Sequence, residues 1–445
     1  MQTVHQEPLT VVAPVSRDRL AELKAVVERM HADPTNNDVI PLGKLKGSHF
    51  ARLLVLDSVG DPSGPPIEPH LVLMSDCDGS AESHLQELLQ LAGDGIDRLF
   101  QSCAGYPEVP ATPEQRLAYL KRRLVPTATY YAHRVGRTVE QIKGEAELCD
   151  AIRKFLDSSQ LEGLSATHIR NKVRAFVGQT PELGWALEKP APLPAQFRAR
   201  ELAHQWGAPL LALAVAPLAA VGLLAVRARE ATEPAPPRRR PSQAHLEELA
   251  SVVDFGAQNP FAVVGFVKPG RLRRMVLDGV LRVANYGTRH VYNRGNLGGI
   301  PALRIGRTSR PPFIRPRIEF SGGVKTIHFA RWVPLDDYRR VLFVSNYDGN
   351  LESYMNDFID KVAWGLNLVF SNGVGYPKTR WLIKGGASNE LPFKEVNVRQ
   401  QIPTRVWYSA YSELTTRHIE KNSRAREGLW GQMDERRARE WLALF

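Results

Sequence analysis

The sequence predicts an α+β fold made of two copies of one βαββαβ unit, packed as a pseudo-dimer and joined by an apolar segment. Three observations carry this. His-Phe-Ala-Arg occurs at 49–52 and again at 328–331, and both copies run on to Leu-Asp, as HFARLLVLD (49–57) and HFARWVPLD (328–336). Residues 71–107 align without a gap to 341–377, and ten of these 37 positions are identical, among them Asp-Gly, Glu-Ser and Gly-Tyr-Pro. Flanking blocks recur in the same order: TVVAPVSRDRL (10–20) answers AVVGFVKPGRL (262–272), and VPTATYYAHRVGRTVEQI (125–142) answers IPTRVWYSAYSELTTRHI (402–419). A shared order at two places marks internal duplication.

Each copy opens with an apolar, β-rich run (9–15; 261–267) and continues into a stretch of helical period (17–30; 271–284). The HFAR strand comes next, then a second strand ending at Asp78-Gly79 or Asp348-Gly349. Ser80 or Asn350 is placed to cap a long helix, with Glu82 or Glu352 in its first turn. A fourth strand near 127–134 or 404–411 closes the set, and an extra helix follows it. This order of elements is the ferredoxin-like unit. Residues 1–180 and 244–445 hold the two repeats, and 181–243 form a Pro-rich linker containing the apolar segment 206–226.

At 445 residues and 43% hydrophobic content the chain can bury at least one large core, and its net charge of +11 favours anionic partners. Cys77, Cys103 and Cys149 show no C-x-x-C spacing, which argues against a disulfide framework or a zinc site and for a reducing compartment. The opening MQTVHQEPLTVV lacks the pattern of a secretory signal. Trp206 to Val226 runs for 21 residues without a charge. That is about 31 Å as a helix, close to the thickness of a bilayer core. Pro209 and Pro217 interrupt it, arginines flank both ends, and a single span would place homologous halves on opposite sides of the membrane. A monotopic or re-entrant hairpin bent near Pro217 is therefore expected, with both halves on the cytoplasmic side; a hairpin buried in the fold is the alternative. Between Asp278 and Glu319 there is no carboxylate but eight arginines, which suits anionic membrane lipid or phosphate, a solvated loop being the plain alternative. No RNP-type or zinc-finger pattern accompanies them, which disfavours nucleic acid.

Four residues stand out as catalytic candidates: His328, Asp348, His49 and Asp78. A histidine kept in equivalent strands serves as metal or haem ligand or as general base, or else holds a strand end in place. The aspartates serve proton transfer, or else bond the turn while glycine supplies the unusual dihedral. Strand alternation puts His and Ala on one face and Phe and Arg on the other, so Arg52 and Arg331 are not expected to share a wall with the histidines. Gly-Tyr-Pro reads as a helix stop with Tyr106 or Tyr376 packed over it. Tyr292, Asn293 and Arg294 in YNRGNLGGIP, together with Arg331, are the cofactor-binding candidates, because a glycine-rich loop can present backbone amides to an anion. The glycine spacing matches neither a Walker A loop nor a dinucleotide fingerprint. The second copy also holds Trp332, Tyr347, Tyr354, Trp364, Trp381, Trp407 and Tyr411, so a pocket for an apolar small molecule is expected there, against the alternative of aromatic core packing.

The duplicated βαββαβ plan resembles the dimeric α+β barrel superfamily, whose haem-binding members include dye-decolourising peroxidases and chlorite dismutase-like proteins. SDCDG (75–79) and SNYDG (345–349) keep the Asp-Gly of the dye-decolourising motif Gly-x-x-Asp-Gly and lack its leading glycine. What the resemblance implies is haem as cofactor, with the two aspartates and two histidines as candidates. NRGNLGGIP, HFARW and SNYDGNLESY also look like strings of an uncharacterised bacterial family. Two classes of function are expected. One is a membrane-associated oxidoreductase for a peroxide or lipid-derived substrate, using a pocket in the second repeat. The other is a non-catalytic module that binds lipid or a partner protein at an anionic membrane surface.

Overall fold

The computed structural model describes residues 6–61, 64–190, 195–254, 256–290 and 325–445. The first half runs β1 (Gln6–Pro14), α1 (Leu20–Ala32), β2 (Ser48–Leu56), β3 (His70–Asp78), α2 (Ala81–Phe100), α3 (Pro113–Arg122), β4 (Thr129–Ala132), α4 (Val139–Ser158) and α5 (Ala166–Gln179). Helices α6 (Ala195–Thr232) and α7 (Gln243–Ala250) follow. The second half runs β5 (Gln258–Phe266), α8 (Arg271–His290), β6 (Ile327–Leu335), β7 (Arg340–Asp348), α9 (Leu351–Phe370), β8 (Thr379–Arg380), β9 (Lys384–Gly385), α10 (Glu390–Gln400), β10 (Val406–Ser409), α11 (Thr416–Glu427) and α12 (Glu435–Leu442). The two HFAR segments occupy equivalent strands, β2 and β6. Ser80 accepts from the Ser83 amide and Asn350 from the Ser353 amide, so both expected N-caps form.

The fold is mixed α+β with antiparallel sheets, ordered β1-β3-β2-β10 and β4-β6-β7-β5. The expected fourth strands exist, but neither closes the sheet of its own half. Strand β4 pairs with β6, Tyr130 opposite Arg331, and β10 pairs with β2, Tyr408 opposite Ala51. The chain leading into each fourth strand first touches β1 or β5 of its own half: the Val125 amide donates to Thr10 O at 2.9 Å, and the Ile402 amide to Ala262 O at 2.8 Å. Pro126 and Pro403 come next, and a proline has no amide to continue a ladder. The chain therefore leaves that edge and crosses to the other half.

The two sheets face each other over an apolar layer that includes Leu54, Met74, Val333 and Val344. Helices α1 to α3 cover the outer face of the first sheet over Leu73, Ile96 and Tyr119, and α9 and α10 cover the second over Phe343, Phe358 and Phe393. A smaller helical cluster joins α4 and α5 to α12 through Leu148, Val173 and Trp441.

The apolar segment is not a hairpin. It lies within one helix of 38 residues that runs through Pro217 and packs along α8. At 1.5 Å per residue the helix is about 57 Å long. Alanine and leucine on both sides of Pro217 are strong helix formers, which offsets the one hydrogen bond the proline removes. Among the described residues no helix is long and apolar enough to cross a membrane.

Candidate functional site

The four catalytic candidates form two matching pairs. His49 Nε2 lies 3.0 Å from Asp78 Oδ1, and His328 Nε2 lies 2.7 Å from Asp348 Oδ1. The second carboxylate oxygen is committed as well. Asp78 Oδ2 accepts from the Val139 amide at 2.9 Å, and Asp348 Oδ2 accepts from the Thr416 amide and hydroxyl, each at 2.8 Å. Val139 and Thr416 are the first residues of α4 and α11, where the helix dipole favours a negative charge. The aspartates thus bond a distant helix end rather than their own turn. Gly79 and Gly349 take that turn at φ of +75° and +81°.

Both histidines enter one aromatic cluster between the sheets. Tyr411 meets the His49 ring at 5.8 Å and the His328 ring at 6.1 Å, Phe329 packs on His49, and Phe50 packs on His328. Tyr411 OH also lies 2.7 Å from His49 Nδ1. Burial, followed by the charges of Asp76, Asp78 and Asp348, pushes the Tyr411 phenol well above its ordinary value. The expectation of separate walls fails here. Pairing shifts register between Ser48 and Phe50 and between Ile327 and Phe329, so each histidine is an extra residue that breaks alternation. The bulge turns it into the layer that also holds Arg52 and Arg331.

Those two arginines reach across to the opposite half in matching fashion. Arg52 donates to Phe261 O and Ser345 O, both at 2.9 Å, and to Asn346 Oδ1. Arg331 donates to Leu9 O at 2.9 Å, Ser75 O at 3.0 Å and Thr10 Oγ1 at 3.1 Å. The symmetry breaks where Asp76 in the first half answers Asn346 in the second. Asp76 Oδ1 lies 3.1 Å from Arg331, while Oδ2 accepts from Asn346 Nδ2 at 3.2 Å. Two guanidiniums therefore share one carboxylate, Arg331 in a direct ion pair and Arg52 only through Asn346. Burial holds the Arg52 guanidinium down to about 9.

This arrangement does not fit a haem ligand. Each histidine spends Nε2 on an aspartate and packs its ring against aromatic neighbours, and Arg331 spends its donors on backbone and Asp76. Tyr292, Asn293 and Arg294 lie outside the described residues. Most of the aromatic surplus of the second half is core, with Tyr347 stacked on Tyr354 at 4.0 Å and Trp332 meeting Phe343 at 4.4 Å, whereas Trp364 and Trp381 are exposed. The gap between β5, α9 and α10 amounts to only about 40 Å³, well below the several hundred Å³ of a usual ligand pocket. A larger open groove of about 880 Å³ lies instead on the first half, between the 36–44 loop, α2 and α3. Tyr106 and Tyr376 do pack over their helix ends, stacking on Phe100 and Phe370 and donating to Asp97 and Asn367.

The feature that departs most from ordinary protein surface is on α6. Residues 213–221, Leu-Ala-Val-Ala-Pro-Leu-Ala-Ala-Val, are exposed at every position, with Leu213 at 72%, Leu218 at 76% and Val221 at 66%. Nine successive residues cover all sides of a helix, and a helix apolar all round is normally buried. Met275 and Val283 are exposed on the neighbouring α8. The foot of α6 is held firmly. Glu230 accepts from Thr379 Oγ1 at 2.6 Å, Glu233 pairs with Lys268 and Arg273, and Arg227 lies over the Trp381 ring at 3.2 Å. No protein-family model, curated protein or solved structure matches the chain.

Proposed function

We propose that the chain is a non-catalytic membrane-surface module that lays α6 and the outer face of α8 on anionic phospholipid. On this reading it is built as two tandem ferredoxin-like halves, packed as a pseudo-dimer with their fourth strands exchanged. The observation that carries the proposal is the exposed apolar run 213–221 on a helix whose foot is fixed to the fold. Moving a Leu or Val side chain fully out of water is worth about 1.5–3 kcal/mol, so the half to three-quarters of each that is exposed contributes roughly 1–2 kcal/mol. Five such side chains, Leu213, Val215, Leu218, Val221 and Leu224, supply enough for reversible adsorption. Net charge of +11 adds attraction to acidic headgroups. Because β4 and β10 are exchanged, a bilayer cannot separate the halves, and the unpaired, buried Cys77, Cys103 and Cys149 favour the cytoplasmic side for both.

Vesicle flotation tests the proposal. The full chain floats with vesicles containing phosphatidylserine. Leu218→Glu with Val221→Glu, at exposed positions that leave the core intact, weakens binding by at least about 100-fold, since a charge among lipid chains costs about 2.5–3.5 kcal/mol. Unchanged flotation of that variant contradicts the proposal.

A further inference from the structure

The second half carries a device that the first lacks. Between Gly-Tyr-Pro and the following helix the first half has only residues 108–112, whereas the second has 378–389, and the insertion folds as the β8–β9 hairpin. Its tip is Arg380-Trp381-Leu382-Ile383, with Trp381 and Leu382 at φ of +59° and +60°, a conformation unfavourable to any residue with a Cβ. Asn367, fully buried, holds the turn by donating to Ile383 O and Gly385 O, both at 3.0 Å. Leu382 points inward, and Trp381 and Ile383 remain exposed at 59% and 42%.

The hairpin is also clamped to the foot of α6. Lys378 donates to Ala231 O and Glu233 O at the end of that helix, Thr379 donates to Glu230, and Arg227 stacks on Trp381. Arg380 and Lys384 pair across the hairpin beside the tip and Lys378 lies at its base, and no carboxylate occurs in the sequence between Asp360 and Glu390. A tryptophan and an isoleucine held outward among cations, beside an exposed apolar helix, match the chemistry of the headgroup layer, where amphipathic aromatic rings and basic side chains gather.

Resting on the membrane reading above, we propose that the β8–β9 hairpin is an anionic-phospholipid contact. Trp381 and Ile383 enter the headgroup layer, Arg380 and Lys384 take lipid phosphates, and the clamp sets the depth at which α6 lies. The contact is with phosphate on a lipid, not with free phosphate.

The test uses the full chain with vesicles of phosphatidylcholine alone or with phosphatidylserine, some carrying brominated acyl chains. Bromine near the headgroup quenches wild-type fluorescence, and the part contributed by Trp381 is the difference from Trp381→Phe. That difference is expected to be large with shallow bromine and small with bromine at the chain ends. Arg380→Gln with Lys384→Gln is expected to lower affinity for phosphatidylserine vesicles on the order of 30-fold, at roughly fivefold per basic residue, and to change binding to phosphatidylcholine alone far less, because choline offsets that lipid's phosphate charge. Inorganic phosphate at millimolar concentration should not compete; competition would assign the site to the free ion and overturn the proposal. Flotation retained with no quenching difference between wild type and Trp381→Phe overturns the hairpin contact and leaves the α6 reading standing. No flotation of wild type with either vesicle overturns both.

Discussion

Replacing Asp76 by Asn makes the two halves of the inter-sheet layer alike at that position and leaves two guanidiniums with no carboxylate between them. Asp76 is 3% exposed and Arg52 and Arg331 are 2% each, so water cannot take over its charge. Removing one partner of a buried ion pair costs about 3–5 kcal/mol. Arg331 keeps Leu9 O, Ser75 O and Thr10 Oγ1 as acceptors, which places the loss at the lower end, about 3 kcal/mol. Equilibrium urea unfolding followed by circular dichroism measures it as a lower midpoint with unchanged slope. The informative partner is Asn346→Asp, which sets a carboxylate beside Arg52 in the other half. Combined with Asp76→Asn it moves the charge without removing it, and should recover most of the lost stability. If Asp76→Asn lies within about 0.5 kcal/mol of wild type, or if the double variant fails to recover, backbone carbonyls alone neutralise the arginines and the shared-carboxylate account is wrong.

His328→Ala should cost about 2–4 kcal/mol, because it opens a cavity beside Phe50 and Tyr411 and strips Asp348 of one partner. Vesicle binding should not change; weaker binding at wild-type stability would tie the pair to function rather than to folding. Glu435 accepts from the Ala166 and Thr167 amides, which hold its carboxyl at about 2 against an ordinary 4.5. A depressed folded-state value stabilises above the unfolded one, so this contribution is complete above pH 4.5 and lost as pH falls through about 2. Hydrogen exchange in α5 should accelerate over that window in wild type and show a flatter dependence in Glu435→Gln; identical profiles would contradict the assignment. His133 and Arg134 hold Glu420 similarly low, at about 2, so Glu420→Gln should flatten acid unfolding near the start of α11.

Much of the architecture was legible because recurring sequence blocks mark the same elements twice. Strand and helix starts agreed with the repeat to within a few residues, and Ser80 and Asn350 announced their caps by residue type. The exchange of fourth strands was less visible, since β-periodicity identifies a strand without naming its partner. Pro126 and Pro403 were the available sign, each placed where a ladder along β1 or β5 has to stop. The histidines were found in sequence and their surroundings were misjudged, because alternation assumes regular pairing and a bulge at the histidine itself undoes it. Length and lack of charge in 206–226 pointed to an apolar contact, yet the proline that suggested a bend sits inside one helix. The Trp381 hairpin has no counterpart in the first half, so the repeat gave no warning of it.

An environment-sensitive fluorophore on a cysteine at Ala219 measures the central claim most directly, since the three native cysteines are buried and leave the label a single accessible site. Ala219 lies within the exposed apolar run, and a control label at Glu162 sits on an exposed turn after α4 in the first half. Adding phosphatidylserine-containing vesicles should shift the Ala219 label to the blue and raise its intensity, while the Glu162 label stays as in water. An Ala219 label that keeps its aqueous emission in the presence of vesicles means that α6 does not enter lipid, and contradicts the account.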